Sequence, residues 1–318
     1  MDGDAKKDLF FVIGIFIVLF FVWVSMGGPS REQSKRPFIT APNQTGTFSG
    51  ETDPNTIGEL FTGRTEGQEY YGDGFTDNLG ISFSIGRDSS FKSTSPLWNK
   101  VRFVDGPTGT QYSETKKEYL VLEVAPDATE SVNISGWKIR SNNSGAEAII
   151  PEAARIAYTS RINEEAPVYL APGERVYLTT GESPIGSSFR VNGCTGYFDQ
   201  FQDYFPRLYH YCPLPSETFD MKKLSDGLGE SCTEYISRIP RCEMVLEELP
   251  KTFSSECVTF IQNELTYAGC VDRFSEVRGF FRPEWRLFFG LTKELWNNEH
   301  DVIDLIDPSG VVVDRIRY

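Results

Sequence analysis

Little of what most enzymes use for chemistry is present in this chain. Histidine occurs twice in 318 residues, at His210 and His300, which leaves little for a histidine metal site or an acid–base network. There is no Gly-x-Ser-x-Gly elbow, phosphate loop, dinucleotide fingerprint or His-Glu-x-x-His sequence. The six cysteines form no Cys-x-x-Cys knuckle, the usual seed of a tetrahedral zinc site. Positive charge is also scarce, with 31 Lys and Arg against 45 Asp and Glu for a net charge of −14. No basic cluster offsets it, so the surface repels phosphate backbones and nucleic acid is not an expected partner. Neither a cofactor nor a metal is expected. Asp73-Gly74-Phe75-Thr76-Asp77-Asn78 has oxygen donors but lacks the spaced acids and distal Glu of a calcium-binding EF-hand, and reads as an acidic turn.

One long hydrophobic run stands out, from Leu9 to Met26, and it carries no charge. At about 1.5 Å per helical residue it covers roughly 27 Å, the thickness of a bilayer's hydrocarbon core. The expectation is a transmembrane helix over residues 9–27 after a short cytoplasmic N-terminus, residues 1–8, with membrane as a partner through that helix. A cleaved signal peptide shares the leading Lys6 and Lys7, but the run exceeds a usual signal core and no small-x-small cleavage site follows. Asp2, Asp4 and Asp8 against Lys6 and Lys7 leave a net −1 in residues 1–27, so residues 28–318 carry −13.

The cysteines are Cys194, Cys212, Cys232, Cys242, Cys257 and Cys270, all downstream of that run. An even number in so short a stretch of a tethered chain points to three disulfides and an oxidising space. The expected location is the plasma membrane, single-pass, with the large domain exported. Arg31, Lys35 and Arg36 after the helix outnumber Lys6 and Lys7 before it, yet long domains translocate largely regardless of flanking charge. Free thiols would instead place the domain inside.

Residues 28–95 are rich in Gly, Ser, Thr, Pro and Asn and read as a flexible stalk that holds the next domain on the order of 45 Å from the bilayer. Within it, alternation from Leu79 to Ile85 predicts one strand packing back on the domain. Short alternating runs then recur at Glu118–Val124, Asn133–Arg140, Glu174–Thr180, Trp285–Phe289, Val302–Ile306 and Val311–Ile316, separated by turn residues. Many short strands argue for a mainly β sandwich or barrel over residues 96–318.

Residues 194–283 break that texture. Cys232-Thr233-Glu234-Tyr235-Ile236 and Cys257-Val258-Thr259-Phe260-Ile261 echo each other and read as two short amphipathic helices. Antiparallel packing of the pair favours Cys232–Cys270 with Cys242–Cys257, leaving Cys194–Cys212. The result is a disulfide-stapled helical insertion. Beside its first cysteine, Tyr197, Phe198, Phe201, Tyr204 and Phe205 crowd into nine residues. They either anchor a protein or glycan partner or fill the seam between insertion and sandwich. Asn43, Asn133 and Asn142 begin glycosylation sequons.

Glu118–Glu123, Val132–Ile139 with Gly136-Trp137, Leu170–Val176 with Pro172-Gly173, and Ile303–Asp314 with Asp307, Gly310 and Asp314 together resemble the lamin-tail domain family. The match covers residues 118–180 and 284–318. The resemblance implies an immunoglobulin-like antiparallel β-sandwich with Trp137 in its core, and it is similar to anchored bacterial proteins that carry this domain. The cysteine-bearing stretch departs from the nuclear lamins, and heptads are absent. Family membership is mute on chemistry. The expected role is a structural, adhesive or protein- or glycan-interaction module at the cell envelope, contacting an envelope protein or wall polymer, and not an enzyme. The alternative is an envelope-associated hydrolase with carboxylates in the insertion. Composition does not set the oligomeric state.

Overall fold

A computed structural model of the chain describes residues 86–87, 90–108 and 114–318. The expected membrane helix, most of the stalk, the alternating Leu79–Ile85 run, the acidic turn at Asp73–Asn78 and the Asn43 sequon lie outside the described residues. Among the described residues no helix is long and apolar enough to cross a membrane.

The chain is mainly β, with a helical insertion. A five-stranded sheet runs β1 (Gly86–Arg87), β14 (Val312–Arg317), β13 (Val302–Ile306), β5 (Lys138–Ser141) and β6 (Glu147–Ile149). A seven-stranded sheet runs β2 (Val101–Thr108), β3 (Tyr119–Val124), β10 (Arg175–Thr179), β12 (Phe281–Phe288), β11 (Phe189–Asn192), β7 (Ala153–Ala154) and β8 (Glu165–Ala166). A short ribbon of β4 (Val132–Asn133) and β9 (Tyr169–Leu170) completes the set.

Alternation decides which side chains go inside. Leu120, Leu122, Val176, Leu178, Trp285 and Leu287 fall on one face because the registers pair Leu122 with Val176 with Trp285, and Leu120 with Leu178 with Leu287. They meet Ile139, Ile303, Leu305, Val313 and Ile316 in one buried cluster. Trp137 joins that cluster at 2% exposure, as expected.

The turn residues act as their types require. Ala171-Pro172-Gly173-Glu174 closes a turn in which the Glu174 amide donates to the Ala171 carbonyl, with Gly173 at φ +80°. Asp307 heads the β13–β14 hairpin, its carboxylate accepting from the amides of Ser309 and Val311. Asp314 is buried and accepts from the Phe103 amide at 2.8 Å, which ties β14 of one sheet to β2 of the other.

Several boundaries and pairings differ from expectation. Pairing of β1 with β14, and a Ser93 hydroxyl donating to the Val312 carbonyl, put the start of the domain before residue 96. β12 starts at Phe281, inside the expected insertion, and lies parallel to β10, so the architecture is not antiparallel throughout. Geometry forces that direction: the chain leaves the sheet after β11 and returns on the opposite heading between β11 and β10.

The insertion holds a 3-10 turn (Thr195–Gln200) and helices α1 (Pro215–Thr218), α2 (Met221–Leu228), α3 (Glu230–Ser237), α4 (Ser255–Glu264) and α5 (Tyr267–Phe274). α3 and α4 are the two expected helices. All six cysteines are bridged, but each expected pairing is replaced: the bonds are Cys194–Cys270, Cys212–Cys242 and Cys232–Cys257. Cys232 and Cys257 occupy the third position of α3 and of α4, so the repeat joins like positions instead of opposite ends. The second of the two helices ends at Glu264, capped by Leu265, and Thr266 caps a new one by accepting from the Gly269 amide. That turn is tight, since a Cβ on Gly269 would sit 2.3 Å from the Asn263 carbonyl oxygen. Cys270 is thereby carried to Cys194, while Cys242 adopts a left-handed backbone (φ +58°) that faces Cys212.

Asp304, fully buried, takes Arg315 at 2.5 Å and Arg140 at 3.0 Å on the outer face of the five-stranded sheet. Burial alone would raise its pKa, but hydrogen bonds from Arg315, Asn142 and Arg140 outweigh it and hold the carboxyl below the ordinary aspartate range. A lowered carboxyl contributes stability that is complete above its unfolded value and is lost as pH falls through the folded one. Asp304→Asn should therefore cost about 2–3 kcal/mol at neutral pH, with the difference from the unaltered protein shrinking toward pH 2, as read by urea unfolding. Non-reducing peptide mapping should return the three bridges above, and a Cys194–Cys212 peptide would contradict the structure.

Candidate functional site

The outer face of the seven-stranded sheet carries charge in order. Arg102, Glu123, Arg175 and Glu284 are register partners across β2, β3, β10 and β12. Glu123 bonds Arg102 Nε at 2.8 Å and Arg175 Nε at 3.3 Å. Two residues further along β12, on the same face, Arg286 is 2% exposed. Its Nε donates to Glu284 at 2.6 Å, Nη1 to the Pro206 carbonyl at 2.7 Å and Nη2 to the Arg207 carbonyl at 3.4 Å, and its guanidinium lies 4.3 Å from the Tyr177 ring centroid. A buried guanidinium with five fixed donors is suited to gripping carbonyls of an irregular segment. Residues 201–211 are thus strapped onto the sheet.

The aromatic residues singled out in the sequence lie on this strap and on the 3-10 turn just before it, and the structure divides them. Tyr197, Phe198 and Tyr204 are buried, with Phe198 4.4 Å from Tyr267 and 5.7 Å from Phe189 by ring centroids. They fill the seam between insertion and sandwich, together with Leu208, Phe274 and the Cys194–Cys270 bridge. Burial pushes the phenol of Tyr197 up to about 12 and raises those of Tyr204 and Tyr267 further, so all three are neutral at ordinary pH. Phe201, Phe205 and Tyr209 instead face solvent at 49%, 37% and 43% exposure. Tyr204 and Leu208 point inward between them. The outward rings have ordered neighbours: Lys117 Nζ lies 5.4 Å from the Phe205 ring, Tyr209 packs 5.5 Å from Tyr211, and Arg282 covers Tyr211 at 4.2 Å.

Next to the strap lies a groove of about 440 Å³ lined by Tyr235, Arg238, Ile239, Met244, Val245 and Leu246. Gln200 joins the two, donating from Nε2 to the Met244 carbonyl at 2.9 Å and accepting the Met244 amide at 2.8 Å. Leu246 is 65% exposed.

Chemistry has less support. His210 lies 3.5 Å from Asp199 and not against a thiol, because Cys212 is bonded to Cys242. Among the described residues the carboxyl raised by burial is Glu118, helped by Glu294 and opposed by the Leu295 amide, which donates to it at 3.2 Å. It sits in the sandwich and not in the insertion, and at 1% exposure it has no route to a polymer. Among the described residues no group of three or more His, Cys, Asp or Glu is placed to hold a metal ion. Of the sequons, Asn142 and Asn133 are both exposed: Asn142 donates its amide to the Val302 carbonyl, and Asn133 accepts from the Ser135 amide.

The sequence reading missed Arg286 and the groove. A cation between Trp285 and Leu287 in an alternating run, and Met244-Val245-Leu246 set between Glu243 and Glu247, were the available signals. Compared with protein-family models, curated proteins and solved structures, the chain has no match.

Arg286→Met would leave two carbonyls of the strap without their donor. It should cost about 2–3 kcal/mol and open residues 201–209 to limited proteolysis while the three bridges persist. Gly196→Ala should act from the opposite side: its Cβ would lie 2.4 Å from Cys242 Sγ and 2.9 Å from the Tyr209 carbonyl oxygen. Overpacking of this kind costs about 1–3 kcal/mol, which thermal unfolding would read.

Proposed function

We propose that this chain is a single-pass membrane protein whose exported domain is an interaction module, and that the strap over residues 201–211 is its contact surface. The observation that carries this is the outward set Phe201, Phe205 and Tyr209 on a segment fixed by Arg286, Tyr204 and the Cys212–Cys242 bridge. Apolar rings presented on a rigid frame lose little entropy on binding and make strong anchors. A protein partner fits better than a sugar polymer. Lys117 and Arg282 already take ring faces of Phe205 and Tyr211, and Tyr209 leans on Tyr211, so a stacking platform for sugar rings is interrupted.

Export and anchoring are supported by the apolar run Leu9–Met26 and by three disulfides, which persist in oxidising spaces. The finer fold assignment belongs to the same proposal. An immunoglobulin-like, lamin-tail-like sandwich is supported by strands at the expected positions, by Trp137 in the core and by the structural work of Gly173, Asp307 and Asp314.

The test is native gel migration of the full chain extracted in mild detergent from its own membrane, with free thiols blocked at lysis. The expected outcome is a complex larger than the monomer that collapses to monomer in Phe201→Ser/Phe205→Ser/Tyr209→Ser, with all six cysteines still bridged. Unchanged migration of the triple variant would sink the contact surface. Six blocked thiols would sink the exported topology.

A further inference from the structure

The segment after Cys242 is unusual in what its backbone does not do. Met244 gives both its amide and its carbonyl to the Gln200 side chain. From Val245 to Leu249, among the described residues, no backbone amide donates to a protein acceptor and no carbonyl accepts from a protein donor. The segment belongs to neither helix nor strand, and it borders the apolar groove whose wall includes Ile239 and Tyr235. Leu246 stands 65% exposed over that groove. Backbone groups not bonded within the protein beside apolar pockets are the features used in main-chain recognition of extended peptides.

Charge indicates what kind of peptide. Glu243, Glu247 and Glu248 are all exposed along the segment. The groove's own cation, Arg238, is paired with Glu234. The rim is therefore anionic on a chain of net charge −14.

We infer that Val245–Leu249 is a docking edge for an extended peptide segment of another protein, one that alternates apolar and basic side chains. Its main chain pairs with the open amides and carbonyls. Its apolar side chains enter the groove against Ile239, Met244 and Leu246, and its lysines or arginines meet Glu243, Glu247 and Glu248. Electrostatic attraction then speeds encounter, and the main-chain bonds hold the register. The inference deepens the reading of the insertion as an interaction surface and rests on it.

The test is binding of a capped decapeptide of alternating valine and lysine to the full chain in detergent, followed by titration calorimetry. Three comparisons accompany it: the same peptide N-methylated at alternate residues, the Leu246→Asp protein, and the Glu247→Lys/Glu248→Lys protein. The expected result is saturable binding that weakens about tenfold or more in each comparison. Equal affinity for the N-methylated peptide would overturn the inference by reducing it to charge attraction, and so would indifference to Leu246→Asp. The Phe201→Ser/Phe205→Ser/Tyr209→Ser protein separates this edge from the strap. Retained peptide binding in that protein supports the groove whatever its native migration shows, and lost binding overturns the assignment to Val245–Leu249.

Discussion

The insertion leaves and re-enters the sheet at one point, and the rest of the structure depends on that closure. Asn192 at the end of β11 is in register with Phe281 at the start of β12, and the Gly193 amide donates to the Phe280 carbonyl at 2.8 Å. Cys194–Cys270 bridges the two limbs just beyond. A covalent link across a sequence separation of 76 residues removes about 4 kcal/mol of chain freedom from the unfolded state in the entropy account of disulfides. With its ends pinned together, the insertion behaves as a large loop on an unbroken sheet. β12 can take its place beside β10 and bury Trp285 and Leu287 in the sandwich core.

From that neck the insertion builds outward in two steps. A first cluster around Phe189, Phe198, Tyr204 and Tyr267 seals it to β11. A second, around Leu224, Leu228, Ile236, Ile261 and the Cys232–Cys257 bridge, is a small core of its own. A core of this size buries too little apolar surface to hold helices of eight to ten residues by packing alone, so the bridge and the caps at Asp220, Ser254 and Thr266 carry much of the order. The consequence is a rigid projection. It carries exposed rings on the strap and a groove with an anionic rim, and Gln200, next to the strap, bonds to Met244 of the groove.

Among the described residues, polar groups in the sandwich are spent on architecture. Asp304 with Arg140 and Arg315, Asp314 with the Phe103 amide, and Glu123 between two arginines each join strands that the apolar core alone would leave free to slip. Arg286 does the same for the strap. Buried charge here joins neighbouring strands within each sheet, and at Asp314 it joins the two sheets.

The strands at Tyr119–Val124, Arg175–Thr179, Val302–Ile306 and Val312–Arg317 were legible in the sequence because aliphatic residues fall at every second position on the face that meets the core, although all but the first residue of the first three strands are buried on both faces. The helices α3 and α4 were legible from their apolar spacing, and the bridged state of the cysteines from their number. Which sulfur meets which was not, because it turns on a break at Leu265 and a left-handed Cys242, local backbone events with no periodic signature. The aromatic stretch was visible as composition. Its division into buried Tyr204 and exposed Phe201, Phe205 and Tyr209 was decided only when Arg286, eighty residues further on, took hold of the Pro206 carbonyl. Local pattern determines which residues are apolar on one side. Long-range contacts alone decide what that side rests against.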